Sequence, residues 1–271
     1  MASILHISDT HFGTEKPHVV KALISVAHER RPDVLIYSGD MTQRAQPSEF
    51  ASARQLVDAM GVAPLLALPG NHDIPLFNIV GRALNPYGRY LKVFGPRLDP
   101  VLDLDAFLVV GVNTTRAARH KDGEVSIEQL ERVSNQLRQA RPGQLRVVVT
   151  HQPADVVRSK DEVDRLHGAE IALQAWSTAG ADLVLGGHIH LPYVKDLFTR
   201  AHPTPRPMWC VQAGTAVSDR LRHHTCNSVN LIHWEPKPGD ASRTCTVERL
   251  DYDADAGGFA MASTTNLALG D

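Results

Sequence analysis

The sequence carries no excess of one charge, no paired cysteines and no long apolar run, and each absence removes a class of function. Lys and Arg number 28 against 30 Asp and Glu, for a formal charge of −2. No broad basic face is implied that would grip a nucleic-acid backbone through many phosphates, so nucleic acid is not an expected partner. Cys210, Cys226 and Cys245 lie in the last quarter without CxxC spacing. That argues against a disulfide framework or a structural zinc finger and fits a reducing cytosol. No apolar stretch approaches the roughly 18 residues of a membrane span. The opening MASILHISDT enters a strand pattern at once, without the basic stretch and apolar core of a secretory leader. A cytoplasmic chain of 271 residues, 43% hydrophobic and 21% charged, is expected to form one large α/β domain. Its oligomeric state is open, a homodimer included.

What is present is an alternation of strand and helix patterns. Residues 17 to 30 place Val20, Leu23, Ile24 and Ala27 at helical spacing behind Pro17. Residues 47 to 60 repeat the scheme behind Pro47, with Gly61 just past the end. Ser126 with Gln129 forms a capping-box pattern before a third helix, and a fourth is expected over 167 to 179. Beyond His190 the pattern changes to short strand candidates at 208 to 213, 228 to 234 and 245 to 252, with no helix long enough for a crossover between them, so antiparallel pairing is expected. Two packed sheets with helices outside would satisfy this order. The domain is expected to span 1–252, and the Ala-, Gly-, Ser- and Thr-rich remainder, 253–271, reads as a frayed or partner-docked tail.

Five apolar strand patterns each end in a residue type that binds metal. ILHIS is followed by Asp9 and His11, VLIYSG by Asp40, LLALPG by Asn71, LRVVVT by His151, and DLVLGG by His188 and His190. In an open α/β sheet the crevice beyond the strand ends is where ligands bind, so the five ends can share one pocket. Four imidazoles, two carboxylates and one amide oxygen suit Mn, Fe, Co, Ni or Zn better than Ca or Mg. Seven donors exceed the needs of one tetrahedral ion. They suit two ions roughly 3.5 to 4 Å apart sharing a carboxylate, for which Asp40 is the candidate. Two divalent ions against two carboxylates leave a local surplus of about +2, which attracts a phosphate, and a metal-bound hydroxide is the expected nucleophile.

The blocks DTH at 9 to 11, GD at 39 to 40, GNHD at 70 to 73, His151 and GHIH at 187 to 190 resemble, in order and spacing, the calcineurin-like metallophosphoesterase superfamily. The resemblance covers about residues 4 to 235. It implies an α/β fold, a four-layer α/β/β/α sandwich of two mixed sheets with flanking helices. It also implies one ion on Asp9, His11, Asp40 and His190, and a second on Asp40, Asn71, His151 and His188, with Mn or Fe favoured. His72 would contact the substrate phosphate and protonate the leaving oxygen, and Asn71 and Arg44 would also touch substrate. Where the protein-phosphatase branch has GDxVDRG, this chain reads GDMTQRA: Gln43 replaces the carboxylate that orients the histidine, so Asp73 or a substrate contact is expected to orient His72. The arrangement is more similar to the bacterial class III cyclic-nucleotide phosphodiesterases. The substrate implied is a small phosphodiester such as a 3′,5′-cyclic nucleotide; a phosphomonoester, a nucleotide-sugar or lipid pyrophosphate, and a non-catalytic metal-binding scaffold are the alternatives.

Singly, Asp9, Asp40 or His151 would more often be a helix cap or a satisfied buried group, and only their joint pattern outweighs this. His6, His18 and His28 read as structural or exposed. His223 and His224, after Asp219, Arg220 and Arg222, read as a solvated loop. The segment 74 to 100, with Phe77, Tyr87, Arg89, Tyr90 and Phe94, is either a cover over the substrate site or a packing excursion. Arg158, Lys160 and Arg165 read as a solvated face.

Overall fold

The structure is a computed structural model describing residues 1–76, 78–222, 224–235 and 243–270. The strands are β1 (Ala2–Ile7), β2 (Val34–Tyr37), β3 (Leu65–Ala67), β4 (Val101–Asp103), β5 (Phe107–Gly111), β6 (Leu145–Val149), β7 (Leu183–Gly186), β8 (Tyr193–Asp196), β9 (Trp209–Gln212), β10 (Ser228–Trp234), β11 (Arg243–Asp253) and β12 (Gly258–Leu269). The α-helices are α1 (Pro17–Arg30), α2 (Pro47–Met60), α3 (Ile79–Leu84), α4 (Gly88–Phe94), α5 (Ile127–Leu137) and α6 (Ala169–Thr178). They form two mixed six-stranded sheets, ordered β12-β11-β10-β1-β2-β3 and β4-β5-β6-β7-β9-β8.

Helix ends lie where the local chemistry puts them. Pro17 and Pro47 start α1 and α2, where a missing N–H costs nothing. Both helices stop on a residue in the left-handed conformation, Arg31 (φ 46°) and Gly61 (φ 65°). Ser126 Oγ accepts from Gln129 N at 3.2 Å while Gln129 Oε1 accepts from Ser126 N at 3.1 Å, closing the capping box before α5.

Strand alternation then assigns each side chain to a layer. Leu5 and Ile7 of β1 face α1 and α2, meeting Val19, Leu23, Phe50 and Leu56. Ile4 and Ile36 face the other sheet, against Val147, Val149, Leu183 and Leu185. On the far side Val110, Val148 and Val184 pack on Leu137, Leu173 and Trp176 of α5 and α6. The order is therefore helix, sheet, sheet, helix. Each fully buried Leu or Ile contributes about 1.5–3 kcal/mol, so the sandwich is a rigid base for whatever its strand ends carry.

Two expectations change, and one left open is resolved. The tail expected from about Asp253 is instead β12, paired antiparallel along β11 from Arg243↔Leu269 to Asp253↔Gly258. Its residues 260–264 are exposed on both faces, so no alternation marks them, and it reaches the core at its two ends, through Phe259 and through Leu267 and Leu269. The run after His190 is not wholly antiparallel: β9 pairs parallel with β7, and β8 returns on its outer side. The aromatics of the 74–100 segment pack rather than cover a site. Tyr90 is buried and donates to Ala67 O at 2.7 Å, Tyr87 donates to Thr115 O at 3.0 Å, and Phe94 rests on the Tyr37 and Tyr90 rings. Phe77 and His223 lie outside the described residues.

Candidate metal centre

The ends of β1, β2, β3, β6 and β7 open at one edge of the sandwich, and the chain turns sharply there. Asp9, His11, Asp40, His188 and His190 all have positive φ, between 42° and 74°. L-residues rarely adopt this region, and each instance costs on the order of 1–3 kcal/mol unless the surroundings enforce it. Two glycines give the turns room. A β-carbon on Gly39 (φ 111°) would stand 2.5 Å from His151 Nδ1, and one on Gly70 would fall on the main-chain N and Oδ1 of Asp40.

Asp9, His11, Asp40, His151 and His190 are almost wholly buried. Asp9, His11 and His190 form one donor group, and Asp40, His151 and His188 form another. In the first, His190 Nε2 is 3.2 Å from Asp9 Oδ1, and the Nε2 atoms of His11 and His190 are 3.0 Å apart. In the second, Asn71 Oδ1 is 3.3 Å from His151 Nε2. Asp40 stands between them, with Oδ2 3.7 Å from His11 Nε2 and Oδ1 3.4 Å from His151 Nε2. His72 also belongs with His11 and Asp40. Its main-chain N–H donates to Asp40 Oδ1 at 2.8 Å.

Main-chain carbonyls orient the imidazoles. His151 Nδ1 donates to Ser38 O at 2.8 Å, His190 Nδ1 to Arg220 O at 2.6 Å, and His72 Nδ1 to Gln43 O at 2.9 Å. A carbonyl only accepts, so each Nδ1 carries the hydrogen and each Nε2 lone pair is aimed inward. Of the two expected ways to orient His72, Asp73 is not the one used; the Gln43 carbonyl holds the ring. The Asp73 carboxylate instead accepts from the N–H groups of Met41, Thr42 and Gly70 and from the Thr42 hydroxyl, bracing the Asp40 turn.

The electrostatics suit cations. Burial alone would raise Asp9 and Asp40, but the surrounding histidines outweigh it and hold both carboxyls well below the ordinary range. Burial pushes His11 down to about 4 and His188 to about 3, leaving them neutral and able to donate lone pairs. Burial also opposes the charge on His151, yet Asp40 and Asp9 lift it to about 9, so the two carboxylates make the centre strongly attractive to positive charge. Asp9 Oδ1 and His11 Nδ1 are buried without a hydrogen-bond partner. An unpaired carboxylate oxygen facing imidazole nitrogens fits a bound cation.

Sequence reasoning missed Arg220. It was read as part of a solvated loop, yet its carbonyl holds His190 and its guanidinium donates to Gln43 Oε1 at 2.8 Å, lying 3.2 Å from His72 Nε2. The only available signal was its position after the strand that ends in VQAGT. His224 is exposed in the same loop. Arg44 lines a cavity beside Asn71 and His72. Arg158 and Arg165 are partly buried rather than a solvated face: Arg158 pairs with the buried Asp161, and Arg165 with Glu170 and the Ala154 carbonyl.

The family profile of calcineurin-like phosphoesterases matches residues 2–192. Over 205 residues the chain is 24% identical to a protein of Synechococcus sp. named probable cyclic nucleotide phosphodiesterase, covering 71% of this chain and 75% of that protein. A purple acid phosphatase of yellow lupin (Lupinus luteus) superposes with a TM-score of 0.72 at 12% identity, over 99% of this chain and 54% of that one, so this chain spans about half its length. A dimetal phosphatase of Danio rerio superposes with a TM-score of 0.68 at 10% identity, over 99% of both chains. At such identities the two structures speak for the fold alone, two mixed sheets between helices. With most of the sequence matched by one profile, and metal-binding donor groups at the strand ends, the chain belongs to the calcineurin-like phosphoesterase family and is a metal-dependent phosphoric ester hydrolase.

Proposed function

We propose that the chain hydrolyses a small phosphodiester, with a 3′,5′-cyclic nucleotide as the reference substrate. The centre would be dinuclear, with one ion on Asp9, His11, Asp40 and His190 and the other on Asp40, Asn71, His151 and His188. The observation that carries this reading is Asp40, whose two carboxylate oxygens face different donor groups. The similarity to a named cyclic nucleotide phosphodiesterase supports the diester preference. The mixed nitrogen and oxygen donor set favours Mn or Fe.

When bound, the ions would supply Lewis acidity, lowering the pKa of water and neutralising phosphoryl oxygens. The chain's own residues supply the rest. His72, its Nδ1 tied to Gln43 O, would give a departing alkoxide its Nε2 proton in the imidazolium form, since in the neutral ring that nitrogen is the acceptor facing Arg220. Arg220 adds a positive charge beside that atom. Asn71 and Arg44 border the cavity where the ester lies. A cytosolic location remains the expectation from cysteine usage; among the described residues no helix is long and apolar enough to cross a membrane.

The test is hydrolysis of bis(p-nitrophenyl) phosphate by the chain reconstituted with Mn, Fe, Co or Zn. Turnover with at least one metal, abolished by chelation, is expected. No turnover with any of them would overturn the proposal.

A further inference from the structure

Next to the metal centre is a cavity of roughly 390 Å³, large enough for the body of a small organic ligand. Asn71 and His72 of the metal-site loops line it together with Ile74 and Leu76 and the cationic side chains Arg44, Arg82 and Lys121. The residues lining it include three permanent cations and no carboxylate.

The cations are not neutralised where they stand. Among the described residues no carboxylate meets Arg82. It donates instead to main-chain carbonyls, Nε to Ala117 O at 2.7 Å and Nη2 to Arg119 O at 2.9 Å, which fixes the guanidinium without cancelling its charge. Among the described residues the Arg44 side chain meets no acid either, and it is the main-chain N–H that bonds to Glu49. Lys121 is the exception, with Nζ 2.7 Å from Asp164 Oδ1. Three cations against one neighbouring carboxylate leave a surplus of two positive charges on the lining, on a chain whose formal charge is −2. All three guanidinium nitrogens donate to carbonyls, Nη1 to Pro75 O at 3.4 Å included, so Arg82 is held in place and offers a phosphate its charge and the remaining Nη hydrogens.

A diester with a single charge, such as a cyclic nucleotide, would spend that charge at the metals and leave this surplus unpaired. From this we infer that the substrate carries a second phosphoryl group, held by Arg44, Arg82 and Lys121 while the scissile phosphate sits at Asn71 and His72. Ile74 and Leu76 pack on the organic part between them. The inference rests on the phosphodiesterase reading and replaces its reference substrate, the singly charged cyclic nucleotide, with a diester bearing a second phosphate.

A matched pair of chromogenic esters tests it: thymidine 5′-(p-nitrophenyl phosphate), and the same compound bearing a 3′-phosphate. Both share the scissile bond and the leaving group, so their ratio of kcat/KM reports the second phosphate alone. The Mn-loaded chain is expected to prefer the 3′-phosphorylated ester at least tenfold. Arg82→Gln should shrink that preference severalfold. Because Arg82 also props the 117–119 turn, Lys121→Gln serves as an independent variant, expected to act in the same direction. Equal kcat/KM for the two esters, a preference that survives both substitutions, or turnover of bis(p-nitrophenyl) phosphate with neither nucleotide accepted would each overturn the inference. If all three esters are inert after metal loading, the phosphodiesterase reading itself falls, and this inference with it.

Discussion

His11 and His190, 179 residues apart in the chain, hold their Nε2 atoms 3.0 Å from each other with Asp9 Oδ1 3.2 Å from the second. No covalent or helical proximity explains this meeting; it is made by the parallel β1–β2 pairing in one sheet, the parallel β6–β7 pairing in the other, and the packing of Ile4 and Ile36 against Leu183 and Leu185.

The same geometry separates the roles of Asp40 and His190. Asp40 faces both donor groups, so Asp40→Asn should lower the content of both ions. His190→Asn should empty mainly one. Elemental analysis after dialysis reads this directly, and equal single-ion losses in the two variants would refute the shared carboxylate. Activity of either variant should fall on the order of 10²-fold or more, as it does when one preorganised electrostatic contact is removed.

His72 is assigned to the departing oxygen, which makes its loss depend on the leaving group. His72→Asn should reduce kcat by about 10²–10⁴ for an alkyl diester, whose alkoxide needs a proton. The loss should be much smaller for a p-nitrophenyl ester, whose phenolate leaves unprotonated. Metal content should stay near that of the wild type. A variant lacking an ion would instead place His72 among the ligands, in line with its position beside His11 and Asp40.

Much of this arrangement was legible in the sequence, for identifiable reasons. The starts of α1 and α2 were readable because Pro17 and Pro47 fix their first turns, and the end of α2 because Gly61 closes it; the left-handed stop at Arg31 carries no such mark. That these seven side chains come together was readable because each lies within four residues of the end of a strand. What could not be read depends on surroundings. β12 carries no inside–outside rhythm because residues 260–264 have solvent on both faces. The parallel pairing of β9 depends on β8 and the long 197–208 connection returning the chain to β7. Arg220 sits on a loop, and only the packing of that loop against Gln43 and His190 gives it a role.

Gly39 offers a test of the turn geometry apart from donor chemistry. At φ 111° a side chain is strained, and the added carbon would press on His151 Nδ1 at 2.5 Å. Gly39→Ala should lower stability by about 1–3 kcal/mol and displace His151 from its Ser38 carbonyl. Reduced metal content together with a lower Tm is expected. A variant with wild-type Tm and two ions would show that the turn tolerates the side chain.

His6 couples stability to acid. It lies between the sheets on β1, with Nε2 2.9 Å from Ser38 Oγ, and burial holds it down to about 3 against an ordinary 6.5, although Asp9 pulls the other way. Between these two values the unfolded chain binds a proton that the folded chain refuses. Stability from this residue is therefore complete above about pH 6.5 and declines as pH falls toward 3, by about 1.4 kcal/mol per unit. His6→Asn should flatten that slope. Urea midpoints of wild type and variant at pH 7.5 and 5, at equal metal loading, give the difference; parallel slopes would rule His6 out as the source.

The positive φ angles at Asp9, His11, Asp40, His188 and His190 carry a practical consequence for dissecting the centre. Alanine at any of these positions would lose the donor and also sit in a backbone region it resists, so a dead variant would confound shape with chemistry. Asparagine tolerates that region far better. A scan with asparagine therefore probes coordination while sparing the scaffold, and β-branched replacements at the same five places would be the most damaging even where they preserve volume.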